Sequence, residues 1–183
     1  MTKEPENYRF VITGGPGTGK TSLIMQLSRL GYKTFGENAR KILGSSGCQA
    51  PIHSNQPDKQ FFKRILETRL TQYEMAPAGK ISFYDRGIPD SLGFFKYMGI
   101  DPPGALVQAI NRKPYNKNIF ILPPWEEIYS QDYIRKESFI ESCKIHLLLS
   151  ETYRTLGYEL IEVPRMSLEK RSDFVLLQIH KHY

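Results

Sequence analysis

Gly14-Gly15-Pro16-Gly17-Thr18-Gly19-Lys20-Thr21 is the stretch on which the fold turns. It matches G-x-x-x-x-G-K-[ST] at every fixed position. Glycines let a backbone curl until successive N–H groups point inward. A helix opening straight after such a loop presents its N-terminus, whose dipole favours anions. The lysine adds a point charge, and the hydroxyl that follows can ligate a metal ion. These residue types in this order hold the polyphosphate of a nucleoside triphosphate, ATP or GTP, together with Mg2+. Gly15, Pro16, Gly17, Thr18, Gly19, Lys20, Thr21 and Ser22 are the expected nucleotide-binding residues, with Lys20 reaching the β- and γ-phosphates and Thr21 the metal.

The flanks supply the context the loop needs. Tyr8–Thr13 is a short β-prone apolar run, a buried strand. From Lys20 to Leu30 the residues Leu23, Ile24, Leu27 and Leu30 share one helical face, and Gly31 is placed to end the helix in a left-handed conformation. Further out, Tyr32–Phe35, Lys80–Tyr84, Asn118–Leu122 and Glu159–Val163 read as strands. Between them fall helical patterns: one opening around Asn55-Gln56-Pro57 and stopped by Pro77-Ala78-Gly79, then Ser91–Met98, Ala105–Arg112 and about Arg135 to Leu156, with a last helix from Ser167 almost to Tyr183. Gly44–Gln56 reads as a loop. Strands alternating with helices imply an α/β three-layer sandwich, a mostly parallel sheet covered on both faces. The 183 residues suit one domain.

Composition narrows the classes. Hydrophobic residues make up 40 %, and the 10 Phe and 11 Tyr supply bulk for a core. No stretch reaches the roughly 20 apolar residues of a transmembrane helix. The polar, acidic N-terminus lacks a signal-peptide core, so a cytoplasmic location is expected, and Cys48 and Cys143 suit reduced thiols there. The net charge of +6 raises nucleic acid as a partner, but no run of five basic residues and no aromatic–basic motif accompanies it.

Two carboxylates and two arginines stand where the sheet would present them. Asp85 ends the third strand, on the side where ligands bind to parallel sheets. It is a candidate to hold Mg2+, the other reading being a surface acid or cap. Asp90 is better placed as a cap. Arg86 is a candidate for binding acceptor or phosphate, or for a structural ion pair. Glu37 and Arg40 follow the second strand. Glu37 could orient or deprotonate an acceptor hydroxyl, or face a helix dipole as a first-turn acid.

The segments GGPGTGKTSL at 14–23, ENAR at 37–40, FYDRGIPDSL at 83–92, ILPPWEEIYSQDYIRKESF at 121–139 and LGYELIEVP at 156–164 together resemble the NadR/Ttd-like AAA-domain P-loop proteins, a branch related to small nucleoside and nucleotide kinases. The first motif is shared by many P-loop families; DRGIPD and LPPWEEIY are narrower. The resemblance implies a five-stranded parallel sheet of nucleotide-kinase type with the Asp85 strand beside the phosphate-loop strand. It implies an acceptor-side helical region at 41–79 and a lid-like segment at 123–137 carrying Asp132, Arg135 and Lys136 over the phosphates. A basic side chain closing there would stabilise transferred charge, so Arg135 joins Lys20, Asp85 and Glu37 as a catalytic candidate. Pro164-Arg165-Met166 would touch the base. Trp125, the only tryptophan, could stack on a base or simply pack.

Phosphoryl transfer to a small acceptor held near Glu37, Arg40 and Arg86 is the function these residues support best. The alternative is a regulatory ATPase or GTPase switch acting through a protein or lipid partner. No Asn-Lys-x-Asp follows the fourth strand to select guanine, and Asp85-Arg86-Gly87 is one residue short of Asp-x-x-Gly.

Overall fold

The structure is a computed structural model that describes residues 7–36, 59–130 and 137–182. The phosphate-loop strand β1 (Arg9–Thr13) lies at the centre of a five-stranded sheet. Its companions are β2 (Lys33–Phe35), β3 (Ser82–Asp85), β4 (Asn118–Ile121) and β5 (Glu159–Glu162). The spatial order is β2-β3-β1-β4-β5 and every pairing is parallel. Parallel neighbours need crossovers, and the helices supply them: α1 (Lys20–Arg29), α2 (Lys59–Glu74), α3 (Ile88–Met98), α4 (Gly104–Arg112), α5 (Phe139–Thr155) and α6 (Leu168–His182). A 3-10 turn, Glu126–Ile128, follows β4.

Side-chain alternation along β1 divides the core into two layers. Phe10 and Ile12 face α1 and α6, packing with Leu23, Leu27, Val175 and Ile179. Val11 faces the opposite side with Tyr84, Ile88, Phe95, Leu106 and Tyr153. Each such fully buried side chain contributes about 1.5–3 kcal/mol of transfer free energy. The third layer of the sandwich is thus built by α2, α3, α4 and α5.

Two helix starts differ from the sequence expectation, each for a capping reason. α3 begins at Ile88 rather than at Ser91, because Pro89 sits in its first turn and the Asp90 carboxylate accepts from the Gly87 N–H at 2.8 Å. α5 begins at Phe139 rather than near 135. Ser138 caps it: its Oγ accepts from the Glu141 N–H at 3.2 Å, while Glu141 Oε2 accepts from the Ser138 N–H at 2.7 Å. This reciprocal pair was written in the sequence as Ser-x-x-Glu. β3 starts at Ser82, two residues past the expected Lys80. Gly31 does end α1 with a left-handed φ of 91°. Cys143 is a free thiol; Cys48 lies outside the described residues. Among the described residues no helix is long and apolar enough to cross a membrane.

Candidate active site

The loop Gly14–Gly19 leaves β1 and turns into α1 with Gly17 at φ 77° and Gly19 at φ 84°. An L-residue would be strained at either position. Gly19 caps α1 without any side-chain hydrogen bond, and the first turn of α1 carries no acid. A helix N-terminus opening straight from such a loop, with no acid in its first turn, is the arrangement that binds anions. Lys20 is buried and folds back over the loop, its Nζ donating to the Gly15 carbonyl at 2.7 Å and reaching Thr18 Oγ1 at 3.4 Å. Thr18 Oγ1 donates to that same carbonyl at 3.0 Å.

Neighbouring elements hold the loop in shape. A Cβ on Gly15 would stand 2.4 Å from the Ser142 carbonyl oxygen of α5, so only glycine permits that approach. Ser142 Oγ donates to the Pro16 carbonyl at 2.5 Å. The Tyr129 ring lies against Gly17, and its hydroxyl donates to the Glu137 carbonyl. His146, also on α5, is held neutral: burial, then the Lys20 charge, lower its pKa to about 4.

The register of β1 and β3 sets the second carboxylate. Ile12 pairs with Asp85, so the acid emerges beside the phosphate loop. Thr21 Oγ1 donates to Asp85 Oδ2 at 2.9 Å. A hydroxyl and a carboxylate this close are hard oxygen donors of the type Mg2+ takes. Among the described residues no group of three or more His, Cys, Asp or Glu gathers. An ion at Thr21 and Asp85 would draw the rest of its shell from phosphates and water.

Arg86 follows with φ 72°, the one positive φ outside glycine among the described residues. Its N–H donates to the Ile12 carbonyl at 3.0 Å, its Nη1 meets Asp90 Oδ1 at 3.1 Å, and its guanidinium lies 5.1 Å from the Phe94 ring centroid. Asp90 is more than a cap. It also accepts from Thr13 Oγ1 and from the Tyr153 hydroxyl, each at 2.6 Å. Burial pushes its pKa up, but the Arg86 and Arg69 charges and those two hydroxyls outweigh burial and hold it below the usual carboxylate value. Burial and the adjoining carboxylate push the Tyr153 phenol far up.

A cavity of about 580 Å³ opens between α2, α3 and α4. Phe62, Leu66, Phe95 and Leu106 make its walls apolar, and Ser91 brings a hydroxyl that Arg69 Nη1 contacts at 2.5 Å.

The structure thus brings together Gly15–Ser22, Lys20, Thr21 and Asp85, with Arg86 behind Asp85. Glu37 and Arg40 lie outside the described residues, as do Asp132, Arg135 and Lys136 of the lid-like segment. Ser142, Tyr129 and Arg171 against the loop, and the full role of Asp90, went unread in the sequence. Arg165 Nη2 donates to the Pro124 carbonyl at 2.8 Å, which ties the Pro164–Met166 loop to the segment after β4.

A protein-family model described as AAA domain matches residues 9–171. The chain belongs to this AAA-domain family. Solved structures that it resembles include small kinases and NadR. Deoxyadenosine kinase from M. mycoides superposes with a TM-score of 0.68 at 13 % identity, over 94 % of this chain and 99 % of that one. Shikimate kinase from Acinetobacter baumannii gives 0.65 at 13 %, over 96 % and 94 %. NadR in complex with NR gives 0.71 at 16 %, with 96 % of this chain matching 51 % of NadR, about half its length. No curated protein matches the sequence. At these identities the likeness establishes the fold of this AAA-domain chain, a P-loop fold of nucleotide-kinase type.

Proposed function

We propose that the protein binds ATP or GTP with Mg2+ and transfers the γ-phosphoryl group to a small acceptor seated in the cavity between α2, α3 and α4. The observation that carries this reading is the placement of that cavity. It lies against α3, the helix that opens just past Asp85, while Asp85 itself bonds Thr21 of the phosphate loop. A volume near 580 Å³ suits a small organic molecule. Its apolar walls, with Ser91, Lys63 and Asp101 as the polar lining residues, suit a ring bearing a few polar groups.

The roles follow from position. Backbone N–H groups from Gly15 to Thr21 hold the phosphates. Lys20 leaves the Gly15 carbonyl and meets the β- and γ-phosphates, where its charge stabilises the transferring group. Thr21 and Asp85 hold Mg2+, which would neutralise charge on the phosphate chain. Arg86, kept in a left-handed backbone and held by Asp90, is proposed to bind the acceptor. Glu37 is proposed to receive the acceptor's proton, Arg40 to bind the acceptor and Arg135 to close over the γ-phosphate. The kinases that share the fold act on acceptors as different as a nucleoside and shikimate, which supports a small hydroxylated molecule without choosing one.

The test is a screen with γ-labelled ATP or GTP, Mg2+ and pooled nucleosides, nucleotides and hydroxylated cofactor precursors. Label in one acceptor supports the reading and names the substrate. Tight nucleotide binding with label released only to water sinks it and favours a regulatory switch.

A further inference from the structure

Arg171 lies on the first turn of α6, on the opposite side of the sheet from the acceptor cavity. It is only 8 % exposed. Its Nη1 stands 2.7 Å from where a Cβ on Gly19 would lie, so the guanidinium presses on the residue that caps α1. On its other side it lies 5.7 Å from the centroid of the Trp125 ring. Its Nε is buried with no hydrogen-bond partner. Glu169, which acts on it electrostatically, is exposed and does not bond it.

This placement opposes stability. A cation beside a helix N-terminus meets the positive end of the dipole. Lys20 adds a second charge to the same loop. Burial of an N–H donor without an acceptor has its own cost. Ion pairing that would offset these terms is not found at Arg171 among the described residues. An anion arriving at the loop would reverse each of them at once.

We propose that Arg171 is a nucleotide-contacting residue, donating from its guanidinium to phosphate oxygens of the triphosphate bound at the α1 N-terminus, with Trp125 holding the guanidinium plane. This rests on the nucleotide-binding part of the proposed function and adds a residue from α6 to that site. Arginine suits the task because its planar fork of donors matches phosphate geometry and stacks on an aromatic face.

Calorimetric titration of the full chain with Mg-ATP and with inorganic tripolyphosphate tests it, using wild type, Lys20→Ala, Arg171→Gln and Arg171→Lys. The expected result is about tenfold or greater weakening of both ligands in Arg171→Gln, partial recovery in Arg171→Lys, and an unliganded Tm no lower than wild type. Unchanged affinity in Arg171→Gln overturns the proposal. So does a Gln variant that is destabilised or unfolded while Arg171→Lys binds as wild type, since Arg171 would then be structural. Loss of ATP alone, with tripolyphosphate unaffected, also overturns it in favour of a base contact. If wild type binds neither ligand, or Lys20→Ala binds as wild type, the nucleotide reading itself falls and takes this one with it.

Discussion

At Asp90 four donors converge on one carboxylate: Thr13 from the end of β1, the Gly87 N–H, Arg86 and Tyr153 from α5. Those bonds fix the strand that enters the phosphate loop and the turn that carries Arg86. Asp90→Asn keeps the shape but removes the charge that offsets the buried Arg86. It is expected to cost about 3 kcal/mol in urea unfolding, the order found when a buried pair loses one partner. The sequence suggested a cap at Asp90 and was right as far as i→i+3 geometry reaches. Thr13 and Tyr153 stand 77 and 63 residues away, and no local pattern announces them. His146 ties stability to pH in the acid range. Its folded pKa, lowered to about 4, lies below the ordinary 6.5, so the unfolded chain takes up a proton first as pH falls. The stability it contributes is present above 6.5 and is lost toward 4. Urea titrations between these values are expected to show a shallower loss in His146→Gln than in wild type.

Among the elements, the loop between β1 and α1 was legible because its chemistry is local: glycines, a lysine and a threonine in fixed order. What grips it was not. Ser142 and Tyr129 reach it from segments more than a hundred residues away, and their approach depends on how α5 packs on the sheet. Gly15→Ala drives a methyl group into the Ser142 backbone at 2.4 Å, whereas a Cβ at Gly31 meets nothing within 4 Å. Gly31→Ala should therefore cost only the backbone strain of its left-handed φ, about 1–2 kcal/mol. Gly15→Ala should cost more and also lose nucleotide binding. Thermal unfolding of both variants with and without Mg-ATP separates the two effects. The start of α5 was misread because its cap was overlooked. Ser138 and Glu141 form a box visible in the sequence, and Ser138→Ala is expected to cost about 1 kcal/mol.

For the whole molecule, alternation of strands and helices was enough to reach a parallel α/β sandwich, because buried parallel strands read as short apolar runs between helical patterns. The resemblance, not periodicity, put the Asp85 strand beside the phosphate-loop strand; the full order β2-β3-β1-β4-β5 is visible only in the folded sheet. The cavity between α2, α3 and α4 had no sequence signal beyond Phe62 and Leu66 on one helix, since it is the space three helices leave between them. If the loop binds nucleotide in the folded state alone, Mg-ATP at a hundred times its Kd adds about 2.7 kcal/mol of stability. Lys20→Ala should lose that increment and keep the unliganded Tm. The central claim is transfer through the phosphate loop, and the rate of γ-phosphoryl transfer to the acceptor found in the screen, by wild type and Lys20→Ala with matched unliganded Tm, tests it most directly. A fall of at least about a hundredfold in the variant is predicted, the scale of losing one charge-stabilising donor; transfer at the wild-type rate would contradict it.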